Sequence, residues 1–291
     1  MRTFFLPVIC FFLFLTAPSA QAQADFTDTV TFGNSLTHND LLWLVYGNPP
    51  DLYQADPMEA VFDKGAVQGD ELMNYAIAGS ESGDVSAQID LYEFLRLLQI
   101  QDKATLFGFE IGSNDVLNNI DILAAYAPGE SSLADAIIDD VITNIRDDLI
   151  RLRSTHPDAQ FVVWLIPDVT YTPDLWDQLT PEEVDNVRAH IGRVNRLIAG
   201  AGVRYDFLVA LDTYSLIREM VNYPPVIFGH QLVPPPAYGD YDDLFADEIH
   251  PTAVSNGLIA NEIITSINTE WNDTVPYYSE AELADLAHIP Y

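Results

Sequence analysis

The sequence predicts an α/β fold in which a parallel sheet is covered by helices on both faces. Short β-rich runs alternate along the chain with segments of helical period, which is the arrangement of repeated strand–helix units. The helical segments carry their apolar residues on one face only, as expected of helices packed on a sheet. Three of the five β-rich runs end in small polar clusters, and an open parallel sheet binds ligands beyond the carboxyl ends of its strands.

The first run, "TVTFG", ends at Gly33 and leads into Asn34 and Ser35; it is followed by "LMNYAIAG" (72–79), "ATLFGFEIG" (104–112), "QFVVWLIPD" (160–168) and "YDFLVALD" (205–212). Between them, Ile138, Val141, Ile142, Ile145, Leu149 and Leu152 share one helical face with aspartates opposite, the pattern of a core-facing helix. Thr180, Pro181 and Glu183 form a helix start, with a threonine cap, proline in the first turn and a glutamate three residues after the cap. Val184, Val187, Ile191, Val194 and Leu197 continue it at helical spacing, and His190 within it is expected at the surface or boundary. A last helix is expected after Pro251, with Val254, Leu258 and Ile263 as its apolar stripe. There is no internal repeat and no Pro/Gly linker between periodic halves, so residues 25–291 read as one domain.

The chain opens with one positive charge, an apolar run from Phe4 to about Ala17 and then small residues, the pattern of a signal peptide spanning residues 1–24. Both Ala20-Gln21-Ala22 and Ala22-Gln23-Ala24 fit a cleavage site, and the later one is preferred. The apolar run is shorter than the roughly 20 residues of a spanning helix, so a secreted protein without stable membrane insertion is expected. Cys10, the only cysteine, lies inside that run, which leaves the mature chain without disulfides or thiol chemistry. A formal net charge of −32, with Lys64 and Lys103 the only lysines, argues against nucleic acid or an anionic membrane as partner.

Four places after or between these elements carry chemistry: "GNSL" (33–36), "AGSESG" (78–83), "GSND" (112–115) and "DEIHPT" (247–252). A serine becomes a nucleophile when a histidine accepts its proton and a carboxylate orients that histidine. Asp247 and His250 can lie on one side of a single turn, and Ser35 supplies a hydroxyl. Negative charge developing on an ester oxygen needs preorganised donors. Gly79 and Ser35 could offer backbone N–H groups, and Asn114 a side-chain amide. Taken singly, each residue reads as a turn or a helix cap.

Together the blocks resemble the GDSL esterases and lipases, also called SGNH hydrolases. "FGNSLT" is similar to the family's first block, with Ser35 as nucleophile, and "NYAIAGS" to its second, with Gly79 in the oxyanion hole. "IGSND" matches the third, with Asn114 in the oxyanion hole, and "DEIHPT" the fifth, with Asp247 and His250 completing the triad. The closing segment "LFADEIHPTAVSNGLIANEII" resembles the phospholipase, lecithinase or hemolysin-like branch. The resemblance implies a flavodoxin-like three-layer α/β/α sandwich, ester hydrolysis through an acyl-enzyme, and no metal or organic cofactor. One departure is Asn34, where the family usually has aspartate; asparagine keeps a hydrogen-bonding side chain of the same size without the charge.

The expected substrate is an acyl ester of a lipid or small alcohol. A polysaccharide O-acetyl ester is the alternative within the same chemistry, and a secreted non-catalytic binding module on the same fold is the alternative outside it. The Pro- and aromatic-rich segment 223–246 is expected to form a wall or lid beside the pocket, or an ordinary long connection. His38 and His230 are expected in loop or structural roles, and the acidic run "DYDD" (240–243) reads as a solvated turn. The tail from Asp273 is expected to form a terminal helix or a partner contact.

Overall fold

A computed structural model describes residues 23–37, 48–53 and 56–291. The expected leader up to residue 22, with Cys10, and the histidine at position 38 lie outside the described residues.

Five parallel strands form the sheet: β1 (Asp28–Gly33), β2 (Glu71–Asn74), β3 (Leu106–Glu110), β4 (Gln160–Trp164) and β5 (Leu208–Leu211). Their order is β2-β1-β3-β4-β5, the doubly wound arrangement of flavodoxin-like sheets. The register pairs Phe32 with Phe109 and Val163 with Ala210, so the polar residues following β1 and β3 emerge at the same edge. Every residue of β3 and β4 is buried, which is why these strands are almost continuously apolar.

Alternate residues serve opposite faces. Phe32, Phe107 and Phe161 pack on one side against helices α2 (Val85–Leu97), α5 (Ser132–Thr155) and α6 (Pro181–Arg204), while Leu106, Val162 and Val209 pack on the other against α1 (Pro57–Gly65) and α8 (Ala253–Glu270). Two short helices, α3 (Ser113–Asn118) and α4 (Ile120–Ala125), follow β3, and α7 (Thr213–Asn222) follows β5. The expected three-layer sandwich is therefore present.

Several details differ from the sequence reading. The regular strand in the run 72–79 ends at Asn74, whose side-chain oxygen accepts the Ala76 N–H at 3.0 Å; beyond it the Tyr75 and Ile77 N–H groups still donate to the Thr31 and Gly33 carbonyls at 2.9 and 3.1 Å, so the chain stays alongside β1. The Thr180 cap forms as expected, with Glu183 returning a bond to the Thr180 N–H at 2.8 Å. His190, however, is fully buried, its Nε2 2.9 Å from the Tyr126 carbonyl oxygen, because the helix faces the 120–126 segment as well as the sheet. The helix after Pro251 is followed by the terminal helix expected of the tail from Asp273. This helix, α9 (Glu280–Leu286), capped by Ser279, buries Leu283 and Ala284 against its neighbours.

The segment 223–246 is a packed structure. It contains a two-stranded hairpin, β6 (Val226–Ile227) with β7 (His230–Gln231), and buries Ile227, Leu232 and Leu244 in a cluster with Val254 and Leu283. His230 pairs with Asp242 at 2.8 Å, and the Asp243 carboxylate accepts the Asp240 N–H at 3.0 Å, so "DYDD" closes its own turn. Among the described residues no helix is long and apolar enough to cross a membrane.

Candidate active site

β1 ends at Gly33, whose main chain is gripped from both sides by Gln88 of α2. The Gly33 N–H donates to Gln88 Oε1 at 3.0 Å and the Gln88 amide donates to the Gly33 carbonyl at 2.8 Å. A side chain at position 33 would meet the Glu110 carbonyl at 2.2 Å, so only glycine lets β1 and β3 run this close at their ends. The next residues turn at once, with the Thr37 N–H donating to the Asn34 carbonyl at 3.2 Å and the Leu36 N–H to Asn34 Oδ1 at 2.9 Å. That turn presents Ser35.

His250 reaches Ser35 from the other end of the chain. Its Nε2 lies 2.8 Å from Ser35 Oγ, and its Nδ1 lies 2.9 and 3.0 Å from the two carboxylate oxygens of Asp247. A carboxylate at Nδ1 fixes the proton of the neutral ring there and leaves Nε2 as the acceptor for the serine hydroxyl. The turn itself is held by Asp247 Oδ1, which accepts the Ile249 and His250 N–H groups at 2.7 and 2.8 Å. Just beyond it, Thr252 caps α8. Burial pushes the Asp247 carboxyl up, but the hydrogen bonds and charge of His250 with the two backbone N–H groups outweigh it and hold the carboxyl below its usual range. Ser35, Asp247 and His250 are all buried.

Asn114 stands in the first turn of α3 and lines the same pocket as Ser35. One N–H of its amide donates to the Ser80 carbonyl at 2.9 Å, and the amide has a second N–H to offer. Gly79 precedes Ser80 in a turn closed by the Ser80 N–H to the Ile77 carbonyl at 3.1 Å. Its φ of +83° suits glycine, and no atom lies within 4 Å of where a side chain would begin. Gly79 is not among the residues lining the pocket; its neighbour Ser80 is bonded to Asn114, which is.

The profile of the family described as GDSL-like Lipase/Acylhydrolase matches residues 30–263, from within β1 to within α8. The chain belongs to this family. It is accordingly a carboxylic ester hydrolase. Among solved structures, a lipase from a goat rumen metagenome superposes with a TM-score of 0.57 at 13% identity, covering 82% of this chain and 96% of that one. A variant of an acetyl-xylooligosaccharide esterase from Geobacillus stearothermophilus superposes with a TM-score of 0.52 at 17% identity, covering 88% of this chain and 99% of that one. At such identities the likeness is one of fold. No curated protein matches the sequence.

In this GDSL-like hydrolase the pocket beside Ser35 is mainly apolar, walled by Leu36, Leu117, Val169, Ile217, Phe245 and Ile259. Phe245 is the contribution of the 223–246 segment to the pocket wall; its Ile227, Leu232 and Leu244 pack with α7, α8 and α9, and its Tyr241 and Ala246 with Leu52 and Tyr53. Asp168 closes one side, its carboxylate paired with Arg188 at 2.8 Å.

Three supporting residues were not singled out from the sequence. Tyr53 donates its hydroxyl to Asp247 Oδ2 at 2.9 Å. Gln88 links Gly33 to the Ser80 hydroxyl, the latter at 3.1 Å. Glu110 lies wholly buried beneath the turn that carries Ser35, where its carboxyl receives Asn34 Nδ2 at 3.3 Å, Ser113 Oγ at 3.4 Å and Thr37 Oγ1 at 3.5 Å. Burial pushes the Glu110 carboxyl up to about 7 despite these bonds. Its sequence signal was visible: a carboxylate at the end of the otherwise apolar strand "LFGFE". Tyr53 and Gln88 carried none, since a buried tyrosine and a helical glutamine are ordinary until their partners are known. Among the described residues no group of three or more His, Cys, Asp or Glu side chains is placed to hold a metal ion.

Proposed function

We propose that the protein is a secreted serine esterase that hydrolyses carboxylic esters of lipids or small acyl alcohols through an acyl-enzyme. The observation that carries this reading is the hydrogen-bonded chain from Ser35 Oγ to His250 Nε2 at 2.8 Å and from Nδ1 to Asp247 at 2.9 Å. In the first half-reaction Ser35 Oγ attacks the ester carbonyl as His250 takes its proton. His250 then gives that proton to the departing alcohol oxygen, leaving the acyl group on Ser35. Water attacks the acyl-enzyme in the same way, releasing the carboxylic acid and restoring the serine. Asp247 stays ionised throughout, and its depressed carboxyl suits that task. Asn114, with the backbone N–H groups of Ser35 and Gly79, is assigned to the oxyanion.

The apolar pocket walls support an acyl group in this position. Labelling with a fluorophosphonate, with Ser35→Ala as control, tests the nucleophile: a label on the folded protein that Ser35→Ala abolishes is expected, and its absence favours a non-catalytic binding module. Nitrophenyl esters of increasing chain length assayed beside acetylated xylan test the substrate. Turnover confined to acetylated xylan would replace the lipid or small-ester reading with an O-acetyl esterase.

Export is part of the proposal, supported by the apolar run near residues 4–17 and the small residues after it. Sequencing the amino terminus of the secreted protein should give Gln23 or Asp25.

A further inference from the structure

At the opposite edge of the sheet from Ser35, near the amino ends of β4 and β5, a groove of about 690 Å3 runs between α5 and α6. Both helices turn a regular face to it: Arg146, Leu149, Ile150 and Arg153 recur at three- and four-residue spacing on α5, and Leu197, Ala201 and Arg204 recur at fours and threes on α6. Phe161 and Phe207 close its base. Much of its wall is apolar and open to solvent, with Ile150 60% and Tyr205 41% exposed.

Charge distinguishes the groove from an incidental apolar surface. The whole chain has 12 lysines and arginines against 44 carboxylates, yet three of those cations stand here. Arg146 is paired with Asp147 at 2.8 Å. Arg153 lies 3.7 Å over the Phe207 ring and donates to the Ala159 carbonyl at 3.1 Å, and Arg204 stands 5.4 Å from the Tyr205 ring centroid. Among the described residues neither Arg153 nor Arg204 has a carboxylate partner, in a protein where carboxylates outnumber cations by more than three to one. Both stand in the last turns of α5 and α6, and each guanidinium carries five N–H donors, of which the Ala159 carbonyl takes one from Arg153, so donors remain for an outside anion.

We propose that this groove binds a long-chain carboxylate, the alkyl chain lying along Leu149, Ile150 and Leu197 and the carboxylate meeting Arg153 and Arg204. The pairing of an apolar trough with uncompensated guanidinium groups fits an anionic amphiphile, and the volume lies within the range of small-molecule sites. A nucleic acid, which would span far more of the surface than the groove, fits poorly on a chain of net charge −32. The site is separate from Ser35 and does not depend on the proposed reaction.

Calorimetric titration of the full mature protein with sodium dodecanoate, below its micelle-forming concentration, tests this. Saturable binding of one dodecanoate per chain is expected, with Arg204→Glu weakening it by roughly ten-fold or more through the reversed charge. Ile150→Gln should weaken it independently, and it keeps the proposal testable if the arginine variant fails to fold. Acetate, which lacks the chain, and dodecyl maltoside, which lacks the charge, should not bind. Hydrolytic activity should be unchanged in both variants, so an inactive wild type would bear on the esterase reading and leave this one standing. The proposal is overturned by no saturable binding, by equal affinity in folded Arg204→Glu, by maltoside binding as tightly as dodecanoate, or by a dimer in sedimentation that Arg204→Glu dissociates, which would make a second copy the occupant.

Discussion

Asp247 holds His250 by both its ring and its main chain. The two carboxylate oxygens lie 3.0 and 2.9 Å from Nδ1, and Oδ1 also accepts the His250 N–H at 2.8 Å. Tautomer, ring orientation and loop shape therefore depend on one side chain. Asp247→Asn preserves the size but offers an N–H or a neutral oxygen where the ring proton must be received. It should lower kcat by roughly 10⁴-fold with a smaller change in KM, measured on a nitrophenyl ester. A loss below ten-fold would remove Asp247 from the proposed triad.

Tyr53 adds a donor to the same carboxylate, 2.9 Å from Oδ2, and Asn48 in turn donates to the Tyr53 hydroxyl at 3.1 Å. Tyr53→Phe deletes this hydrogen bond while keeping the ring that fills the space. The expected result is a fall in kcat of roughly five-fold, the worth of one hydrogen bond, with KM unchanged. A rise in KM alone would assign Tyr53 to substrate binding.

Glu110 should make the fold's stability depend on pH. Its carboxyl is raised from the ordinary 4.5 to about 7, so between those values the folded state binds more protons than the unfolded state. Stability from this group is fully present below about 4.5 and is lost as pH rises to about 7, by up to roughly 3 kcal/mol. Glu110→Gln stays neutral and escapes this loss. Urea unfolding at pH 5 and pH 8 should show the variant gaining on the wild type at the higher pH; a pH-independent difference would contradict it.

Asn34 and Glu110 should behave as a coupled pair. Asn34→Asp keeps the acceptor for the Leu36 N–H but replaces the donor 3.3 Å from Glu110 with a second carboxylate. The single change should destabilise by roughly 1–3 kcal/mol, more at high pH, where neither acid is protonated. Asn34→Asp combined with Glu110→Gln reverses the donor and acceptor and restores the bond. The double variant should therefore be less destabilised than the sum of the singles in unfolding experiments. Simple additivity would show that the two side chains do not interact.

Much of this protein is written locally. Alternating runs and helical stripes specified the sheet and its covering layers, because burial on two faces requires strands as apolar as "LFGF" and helices with one apolar stripe. Thr180 and Glu183 specified a helix start, since both partners of that bond lie within four residues. The blocks around Ser35, Gly79, Asn114, Asp247 and His250 were likewise visible as ordered patterns.

What only the tertiary structure decided are relations between residues far apart in the chain. The 2.8 Å contact of Ser35 with His250 spans 215 residues, and that of Tyr53 with Asp247 spans 194. No local rule carries such a distance, because it follows from the sheet order and from how each turn leaves its strand. The burial of His190 has the same origin: the Tyr126 carbonyl, 64 residues away in the chain, outweighed the local pattern. Glu110 unites both levels. Its charge could be read in the strand, but only the closed fold shows that it is sealed beneath Asn34 and Thr37, where burial pushes its carboxyl up to about 7.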